Sequence, residues 1–212
     1  MPPLVIDGHD KNLIWPDDLD EPSQSYLKLA NINDSDGAEY EVLLEEDGSD
    51  MARLYLRHIE SDAVAANFLL EFNLTAPEGF PERIPQITSA FVGVEYRRAK
   101  LSQHVYCMLM KHYGAIVSDT HQTAGGMLIW LLMGEDDTVQ LNIMQVRGER
   151  LEYRLVDGEP EAYTGEIEAL EQAGDTIWGD PNSVISLTTL ARIGFRPAQR
   201  DMSNIILAAR PL

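Results

Sequence analysis

The sequence predicts a mixed α/β (α+β) fold with a largely antiparallel sheet and flanking helices. Four segments rich in β-forming residues come first, separated by turn-forming residues. Two apolar segments of helical periodicity follow, with a short apolar strand between them. Two alternating segments around a turn at residues 147–150 then predict an antiparallel hairpin. The resulting order, β-β-β-β-α-β-α-β-β, is typical of a mixed sheet with helices packed against it.

Residues 1–39 have little hydrophobic periodicity and are predicted to form a loop-rich N-terminal segment. Within it, residues 25–31 are compatible with a short helix. A cluster of asparagine, aspartate, serine and glycine at residues 33–37 predicts a turn before the first strand.

The four early strands are predicted at residues 40–46, 52–59, 67–74 and 87–96. A turn at residues 46–49 joins the first two into a hairpin. The third is the clearest, because Phe68, Leu70, Phe72 and Leu74 occupy every second position.

The middle of the chain predicts two helices around one strand. The first helix spans residues 100–113, and Gly114 suits its C-terminal cap. The strand follows at residues 115–118. The second helix comes next, with Thr120 and Thr123 as alternative N-caps.

The last third contains a predicted hairpin and a tail. The hairpin strands are residues 139–144 and 151–156, and residues 166–173 predict a short acidic helix. Apolar segments at residues 183–193 and 204–209 fit either a helix or a strand.

We therefore expect one domain over residues 40–156, with residues 157–212 as a C-terminal extension packed on it. Three roles are open for the extension: completing the sheet, covering a cleft, or forming an interface.

Composition excludes several classes of protein. The chain has 212 residues, 44% of them hydrophobic, which is enough for one substantial core. Cys107 is the only cysteine, so neither an intrachain disulfide nor a multi-thiolate zinc site can form. No apolar run is long enough to cross a bilayer, and the N-terminus lacks the pattern of a secretory signal. We expect a cytoplasmic protein that does not bind membranes.

The formal net charge of −19 bears on possible partners. Such a surface repels phosphate backbones, so nucleic-acid binding is not expected. General solubility is the simplest role for the charge. The alternative is an acidic face that mimics DNA or docks on a partner protein with a basic surface.

The charge is unevenly distributed along the chain. Residues 1–90 contain 19 acids and 5 bases, and residues 134–212 contain 14 acids and 7 bases. Residues 91–133 contain only two acids, Glu95 and Asp119. The same stretch has four bases, which are Arg97, Arg98, Lys100 and Lys111. Three bases within four residues indicate a local anion site, with chance clustering as the alternative.

Other motifs provide no competing site. The chain has no P-loop and no glycine-rich dinucleotide motif. His104, Cys107 and His112 share one predicted helix, but His112 lies two turns from His104, so packing is favoured over metal binding. No metal is expected.

A series of residues in the middle of the chain indicates a family. These residues are Val92, Tyr96-Arg97, Val105-Tyr106, Ser118-Asp119, Gln122-Thr123 and Trp130. The series resembles the GCN5-related N-acetyltransferase (GNAT) superfamily, in particular its divergent acetyltransferase-like branch in bacteriophages. By motif the resemblance covers about residues 85–133, and by strand order it extends over about 40–156. It implies a GNAT-like fold, acetyl-CoA as cofactor, acyl transfer to an amine, and the host cytoplasm as location if the chain is phage-encoded.

The resemblance also implies where the cofactor binds. Family members hold pyrophosphate at a Q/R-x-x-G-x-G/A turn that begins a helix, where free amides and the helix dipole attract anions. In this chain Arg97 matches the first position, but Lys100 and Ser102 replace the glycines. Three cations attract pyrophosphate, whereas the Lys100 side chain obstructs close approach. The implied cofactor-binding residues are Phe91 and Val92, on the splayed strand that holds pantetheine, and Arg97, Arg98, Lys100, Leu101 and Ser102 in the turn.

The catalytic groups implied by the resemblance are incomplete. Many family members use a tyrosine to protonate the leaving thiolate, and Trp130 occupies the best matching position. The candidate replacements are Ser118, Tyr106 or a water, and the candidate bases are Asp119, Glu95 and Glu71. A solvated strand residue is the structural alternative for Glu71, and a helix cap is the alternative for Asp119.

Two functions are favoured at this point, and a structural virion component, which no feature of the sequence addresses, is a third. The chain is either an acyl-CoA-dependent N-acyltransferase, or a degenerate descendant of one, or else a non-enzymatic acidic phage protein that modulates a host protein. A homodimer is compatible with both.

Overall fold

The computed structural model describes residues 26–97, 100–120, 124–160, 162–163 and 205–212. The helices in these ranges are α1 (Leu101–Tyr113) and α2 (Ala124–Gly134), with a short 3-10 helix at Val94–Tyr96. The strands are β1 (Tyr26–Asn33), β2 (Glu39–Glu46), β3 (Met51–His58), β4 (Ala63–Glu71), β5 (Gln86–Val92), β6 (Ile116–Ser118), β7 (Val139–Arg147), β8 (Arg150–Tyr153), β9 (Leu155–Val156), β10 (Glu159–Pro160), β11 (Ala162–Tyr163) and β12 (Ile205–Pro211).

One large sheet organises the described chain. Its spatial order is β1-β2-β3-β4-β5-β6-β12-β7-β11, with β8 also paired to β7. Among the pairs of described strands, only β5 and β6 are parallel. The predicted mixed α/β fold with a largely antiparallel sheet is therefore confirmed. None of the described helices has both the length and the apolar composition needed to span a bilayer.

The prediction of a helix at residues 25–31 is wrong. Residues 26–31 belong to β1, which pairs with β2 from Tyr26↔Glu45 to Asn33↔Glu39. The turn between the strands is held by Asp34, whose carboxylate accepts hydrogen bonds from the amides of Asp36 and Ala38, each at 2.9 Å. The hydrogen bonds that this segment forms along β2 stabilise the strand more than its weak intrinsic preference stabilises a short isolated helix.

Two other strand boundaries differ from the predicted ones. The third predicted strand, residues 67–74, is β4 and begins earlier, at Ala63, because small apolar residues extend its pairing with β3. The fourth, residues 87–96, ends at Val92, where the chain turns at Gly93 into the 3-10 helix. This early end places the start of α1 close to the end of β5, an interior strand of the sheet.

α1 connects the parallel strands β5 and β6, as parallel pairing requires a crossover. It packs on the sheet through ring contacts, with Phe68 of β4 lying 6.4 Å from Tyr106 and Phe72 lying 5.4 Å from Tyr113 between ring centroids. Phe68 is fully buried, which contributes roughly 2 kcal/mol to folding. Gly114 ends the helix at a φ of 80°, as predicted.

The end of the chain completes the sheet. β12, whose type the sequence leaves open, is a strand that lies between β6 and β7 and pairs antiparallel with both. Its apolar residues are buried, as expected of an interior strand. The predicted helix at residues 166–173 and the apolar segment at residues 183–193 lie outside the described residues.

Candidate functional site

The two parallel strands separate soon after they pair. Their register contains only two pairs, Gln86↔Val117 and Ile87↔Ser118, and β6 ends at Ser118. β5 continues to Val92, which is about 17 Å beyond Ile87 for an extended strand. The last five residues of β5 therefore have no partner on β6.

A small pocket lies where β5 ends and α1 begins. Its walls are Val92, Tyr96, Arg97, Lys100, Leu101, Ser102 and Gln103, together with Leu128, Ile129 and Leu132 of α2. Its volume is about 80 Å³. A pocket that encloses a whole ligand measures roughly 300–1,000 Å³. This one therefore suits a single group of a larger ligand.

The start of α1 provides one wall, and the amides of its first residues make no backbone hydrogen bond within the described part of the chain. Lys100 is the N-cap residue, with φ 57° and ψ 17°, and its side chain makes no capping hydrogen bond. The first turn contains no acidic residue. The first hydrogen bond within the helix runs from the amide of His104 to the carbonyl oxygen of Lys100, at 3.2 Å. The amides of residues 101–103 come before it and therefore have no acceptor within the helix. This end of the helix is therefore positively polarised.

Arg97 provides a cation beside these amides. Its Nε donates a hydrogen bond to the carbonyl oxygen of Val92 at 3.1 Å, which folds the side chain back onto the end of β5. Its Nη2 is buried and has no hydrogen-bond partner among the described residues. Leaving a buried donor unpaired costs on the order of 1–3 kcal/mol. An acceptor atom of a bound anion would recover that cost.

Most of the cofactor-binding residues implied by the resemblance meet at this pocket. Val92, Arg97, Lys100, Leu101 and Ser102 line it. Phe91 does not, because it pairs with Asn67 and alternates to the other face of β5. Arg98 lies outside the described residues.

Ser118 is held in structural contacts. Its Oγ accepts a hydrogen bond from the amide of Leu207, and its carbonyl accepts one from Gln86 Nε2, both at 3.1 Å. The side chain is fully buried. These bonds join β6 to β12 and β5, so they account for a serine at this position without a catalytic role.

Asp119 and Tyr106 lie close enough to interact. Burial raises the pKa of Tyr106, and the negative charge of Asp119 raises it further. The Tyr106 phenol therefore stays protonated at neutral pH. Asp119 is half-buried and accepts a hydrogen bond from the amide of Thr120 at 2.7 Å. Residues 121–123 are outside the described part of the chain, so the predicted alternative caps Thr120 and Thr123 are not distinguished.

Trp130 packs against Tyr106. Its ring centroid lies 5.6 Å from that of Tyr106, and it is fully buried. Its indole Nε1 has no hydrogen-bond partner in the described ranges. An indole N–H donates but does not release a proton at neutral pH, so this residue cannot supply the acid.

The two remaining candidate bases lie at different distances from the pocket. Glu71 pairs with Gln86, at the opposite end of β5 from Val92, so about 20 Å of strand separates it from the pocket. Its carboxylate accepts a hydrogen bond from Asn73 at 3.1 Å. Glu95 is exposed on the 3-10 helix, next to Tyr96.

Four residues of the pocket are not indicated by the sequence. They are Gln103 on α1 and Leu128, Ile129 and Leu132 on α2. The spacing of the α2 residues indicates that they share one helical face. Nothing in the sequence shows that this face meets the start of α1.

Comparison with known proteins adds no relative. No protein-family model matches the sequence, and no curated protein matches it. Among the residues that the structure describes, no group of three histidine, cysteine, aspartate or glutamate side chains is placed to hold a metal ion.

Proposed function

We propose that this protein is a GNAT-like protein that binds acyl-CoA and transfers its acyl group to an amine. The observation that carries the proposal is the pocket at the start of α1. There the buried Nη2 of Arg97 lacks a partner among the described residues, and the first turn of the helix contains no acidic residue. Pyrophosphate suits this combination, since helix N-termini and guanidinium forks both bind phosphate oxygens.

The end of β5 supplies a surface for the rest of the cofactor. Beyond Ile87 this strand has no partner on β6. Apart from the Val92 carbonyl, which accepts from Arg97, we propose that peptide groups along that edge bind the cofactor. Pantetheine contains two amide groups. An extended pantetheine arm would bond to this edge as an added strand does.

The proposed transfer conserves atoms and charge. The neutral amine nitrogen attacks the thioester carbonyl carbon, a C–N bond forms, the C–S bond breaks, and sulfur leaves with the electron pair. Asp119 is the candidate to take the amine proton, and Tyr106 is the candidate to protonate sulfur, because burial keeps its phenol protonated. The amine proton on Asp119 then passes to the Tyr106 phenolate, which restores both groups. The products are an amide and the CoA thiol.

Calorimetry with two ligands tests the proposal. Acetyl-CoA contains the pyrophosphate, whereas S-acetylpantetheine has the same thioester arm without it. We expect acetyl-CoA to bind and S-acetylpantetheine to bind at least about 100-fold more weakly, because charge-assisted phosphate contacts contribute roughly 3 kcal/mol. Equal affinities, or no acetyl-CoA binding at millimolar concentration, would contradict the proposal.

A second candidate function is docking on a basic partner protein. It is favoured by the net charge of −19 and by the end of the β2–β3 hairpin, where Glu45 and Asp47 line a recess beside the exposed Met51. Arg53 lines the same recess, and Glu46 there is paired with Arg83 at 2.7 Å. Capture of a basic host protein at low salt and its release at high salt would support this function. Failure to capture any protein at low salt would count against it.

A further inference from the structure

A serine and a histidine form a short hydrogen bond on the turn between β3 and β4. The Oγ of Ser61 lies 2.6 Å from Nδ1 of His58. Ser61 is exposed, so a small molecule can reach its hydroxyl from solvent. When the ring hydrogen of the histidine is on Nε2, Nδ1 accepts the hydroxyl proton of the serine. A hydroxyl bonded in this way to an imidazole is the arrangement that activates a serine nucleophile.

The turn is closed without this side-chain bond. The amide of Asp62 donates a hydrogen bond to the carbonyl oxygen of His58 at 2.8 Å, and Asp62 has a φ of 57°, which reverses the chain. Arg57 and Asp62 form an ion pair at 3.4 Å across the same turn. His58 also pairs with Ala63 in the ladder of β3 with β4. Because these contacts hold the turn, the bond between serine and histidine is free to serve another role.

The imidazole ring of His58 is held by tyrosines from two other elements. Its centroid lies 5.1 Å from that of Tyr40 on β2 and 5.7 Å from that of Tyr96 on the 3-10 helix. Tyr40 is buried, and its hydroxyl donates a hydrogen bond to Asp34 at 2.9 Å. Packing against two rings restricts the rotation of the imidazole and keeps Nδ1 directed at Ser61. Aromatic rings within about 6 Å also stabilise a cation, which favours the imidazolium that forms when the serine loses its proton.

Tyr96 adds a hydrogen-bond donor beside the serine. Its hydroxyl lies 3.5 Å from the Oγ of Ser61. The pairing of β4 with β5 brings the two residues together, because Val92 lies opposite Ala66 just before the 3-10 helix begins. The turn and the 3-10 helix thus supply a nucleophile, a base and a donor that can bind a developing oxyanion.

We propose that Ser61, with His58 as its base, is the nucleophile of a second site that cleaves small activated acyl esters. The site is exposed and has one side-chain donor for the oxyanion, so it suits a small substrate with a good leaving group. This inference does not rest on the proposed binding of acyl-CoA.

The proposed reaction has two steps. The Oγ of Ser61 attacks the carbonyl carbon, a C–O bond forms, Nδ1 of His58 takes the hydroxyl proton, and the carbonyl electrons move onto the oxygen beside Tyr96. When those electrons return, the bond to the leaving alcohol breaks, and the alcohol departs with the electron pair and the proton from His58. A water that gives its proton to His58 then attacks the acyl-serine. The bond to Oγ breaks, Oγ takes that proton, and a carboxylic acid leaves.

Hydrolysis of p-nitrophenyl acetate by the full chain tests the proposal. We expect the wild type to release p-nitrophenol faster than buffer does, and mass spectrometry of acid-quenched protein should find an acetyl group on Ser61. Ser61→Ala and His58→Gln should each lower the rate by at least about 10-fold, since a general base contributes roughly 100-fold or more. The exposed His104 and His112 set the residual rate. Tyr96→Phe should also lower the rate, because it removes the donor for the oxyanion.

Two control variants separate the pair from isolated side chains. Ser49→Ala removes another exposed turn serine, and His112→Gln removes another exposed imidazole, so both should keep the wild-type rate and the acetyl group on Ser61. Imidazole added to His58→Gly should restore acetylation of Ser61, which a variant with a damaged fold would not show. A wild-type rate in Ser61→Ala, acetylation confined to lysines, or no hydrolysis above buffer would each overturn the inference. None of these outcomes bears on acyl-CoA binding, which calorimetry measures separately.

Discussion

Arg97 Nε donates a hydrogen bond to the carbonyl oxygen of Val92 at 3.1 Å, so the last residue of β5 fixes the position of the Arg97 side chain. One edge of the guanidinium is thereby fixed, and Nη2 is left buried without a partner among the described residues. A fixed fork loses little rotamer entropy when it binds a phosphate. This relationship joins the strand proposed to hold pantetheine to the group proposed to hold pyrophosphate.

Arg97→Ala should weaken acetyl-CoA binding by about 10- to 100-fold, since charge-assisted hydrogen bonds contribute roughly 1.5–3 kcal/mol. Arg97→Lys should give an intermediate affinity, because lysine keeps the charge but loses the fork. Calorimetry at constant ionic strength measures both.

Lys111→Ala is the control for Arg97. It makes the same change in net charge, in the same basic stretch, but at the exposed far end of α1. Its affinity should stay within about 2-fold of the wild type at physiological salt, where exposed charges beyond roughly 8 Å are screened. Equal losses in the two alanine variants would indicate general electrostatic attraction instead of a site at Arg97.

Lys100 occupies a backbone conformation that favours glycine, with φ 57°. Lys100→Gly and Lys100→Ala both remove the charge, but only the glycine variant also removes the Cβ. The glycine variant should be the more stable by roughly 0.5–1 kcal/mol, because relief of left-handed strain exceeds the added entropy of the unfolded chain. It should also bind acetyl-CoA more tightly than the alanine variant. Equal affinities would show that the Cβ does not obstruct the phosphate.

Asp34 should make the stability of the β1–β2 turn dependent on pH. Burial alone would raise the pKa of Asp34, but hydrogen bonds from the Tyr40 hydroxyl and the amides of Ala38 and Asp36 outweigh burial and lower it. The unfolded-state pKa is about 3.9. The contribution to stability is therefore fully present above that value and is lost as the pH falls through the lower folded-state pKa.

Urea unfolding of Asp34→Asn across acidic and neutral pH measures this effect. The variant should be less stable than the wild type by a constant amount near neutral pH, and the difference should shrink below about pH 4. Asp36→Asn, at an exposed position of the same turn, should show no comparable change. A stability difference for Asp34→Asn that does not change with pH would contradict the prediction.

Gly114 and Gly148 form a matched pair for backbone strain. Both have positive φ, 80° and 62°, but an added Cβ would lie 2.9 Å from Pro81 Cγ at Gly114 and would meet nothing within 4 Å at Gly148. Gly148→Ala should cost about 1 kcal/mol from strain alone. Gly114→Ala should cost at least roughly 1 kcal/mol more, from overpacking against Pro81. Equal unfolding free energies would mean that the proline loop moves away freely.

Local patterns predict much of this fold. The alternation in β4, the stripe of α1 and its Gly114 cap each follow from residues within one segment. β1 does not, because a short segment has weak preferences and its ladder with β2 is a tertiary contact. Local pattern does not predict the place of β12 between β6 and β7 either, because the residues of a strand do not indicate which two strands it will pair with.

The candidate site, like the fold, can be predicted from the sequence only in part. The cluster of bases indicates Arg97 and Lys100 from sequence alone, and the resemblance adds Val92 and Ser102. The α2 wall emerges only from the helix packing.

An amide-resolved NMR titration with CoA tests the central claim most directly. The account predicts that the largest shifts fall on the amides of Leu101, Ser102 and Gln103, with smaller shifts along the end of β5. The amide of Lys111, near the other end of α1, should remain unmoved. Shifts centred on another part of the sheet, or no shifts at millimolar CoA, would contradict an anion site at the start of α1.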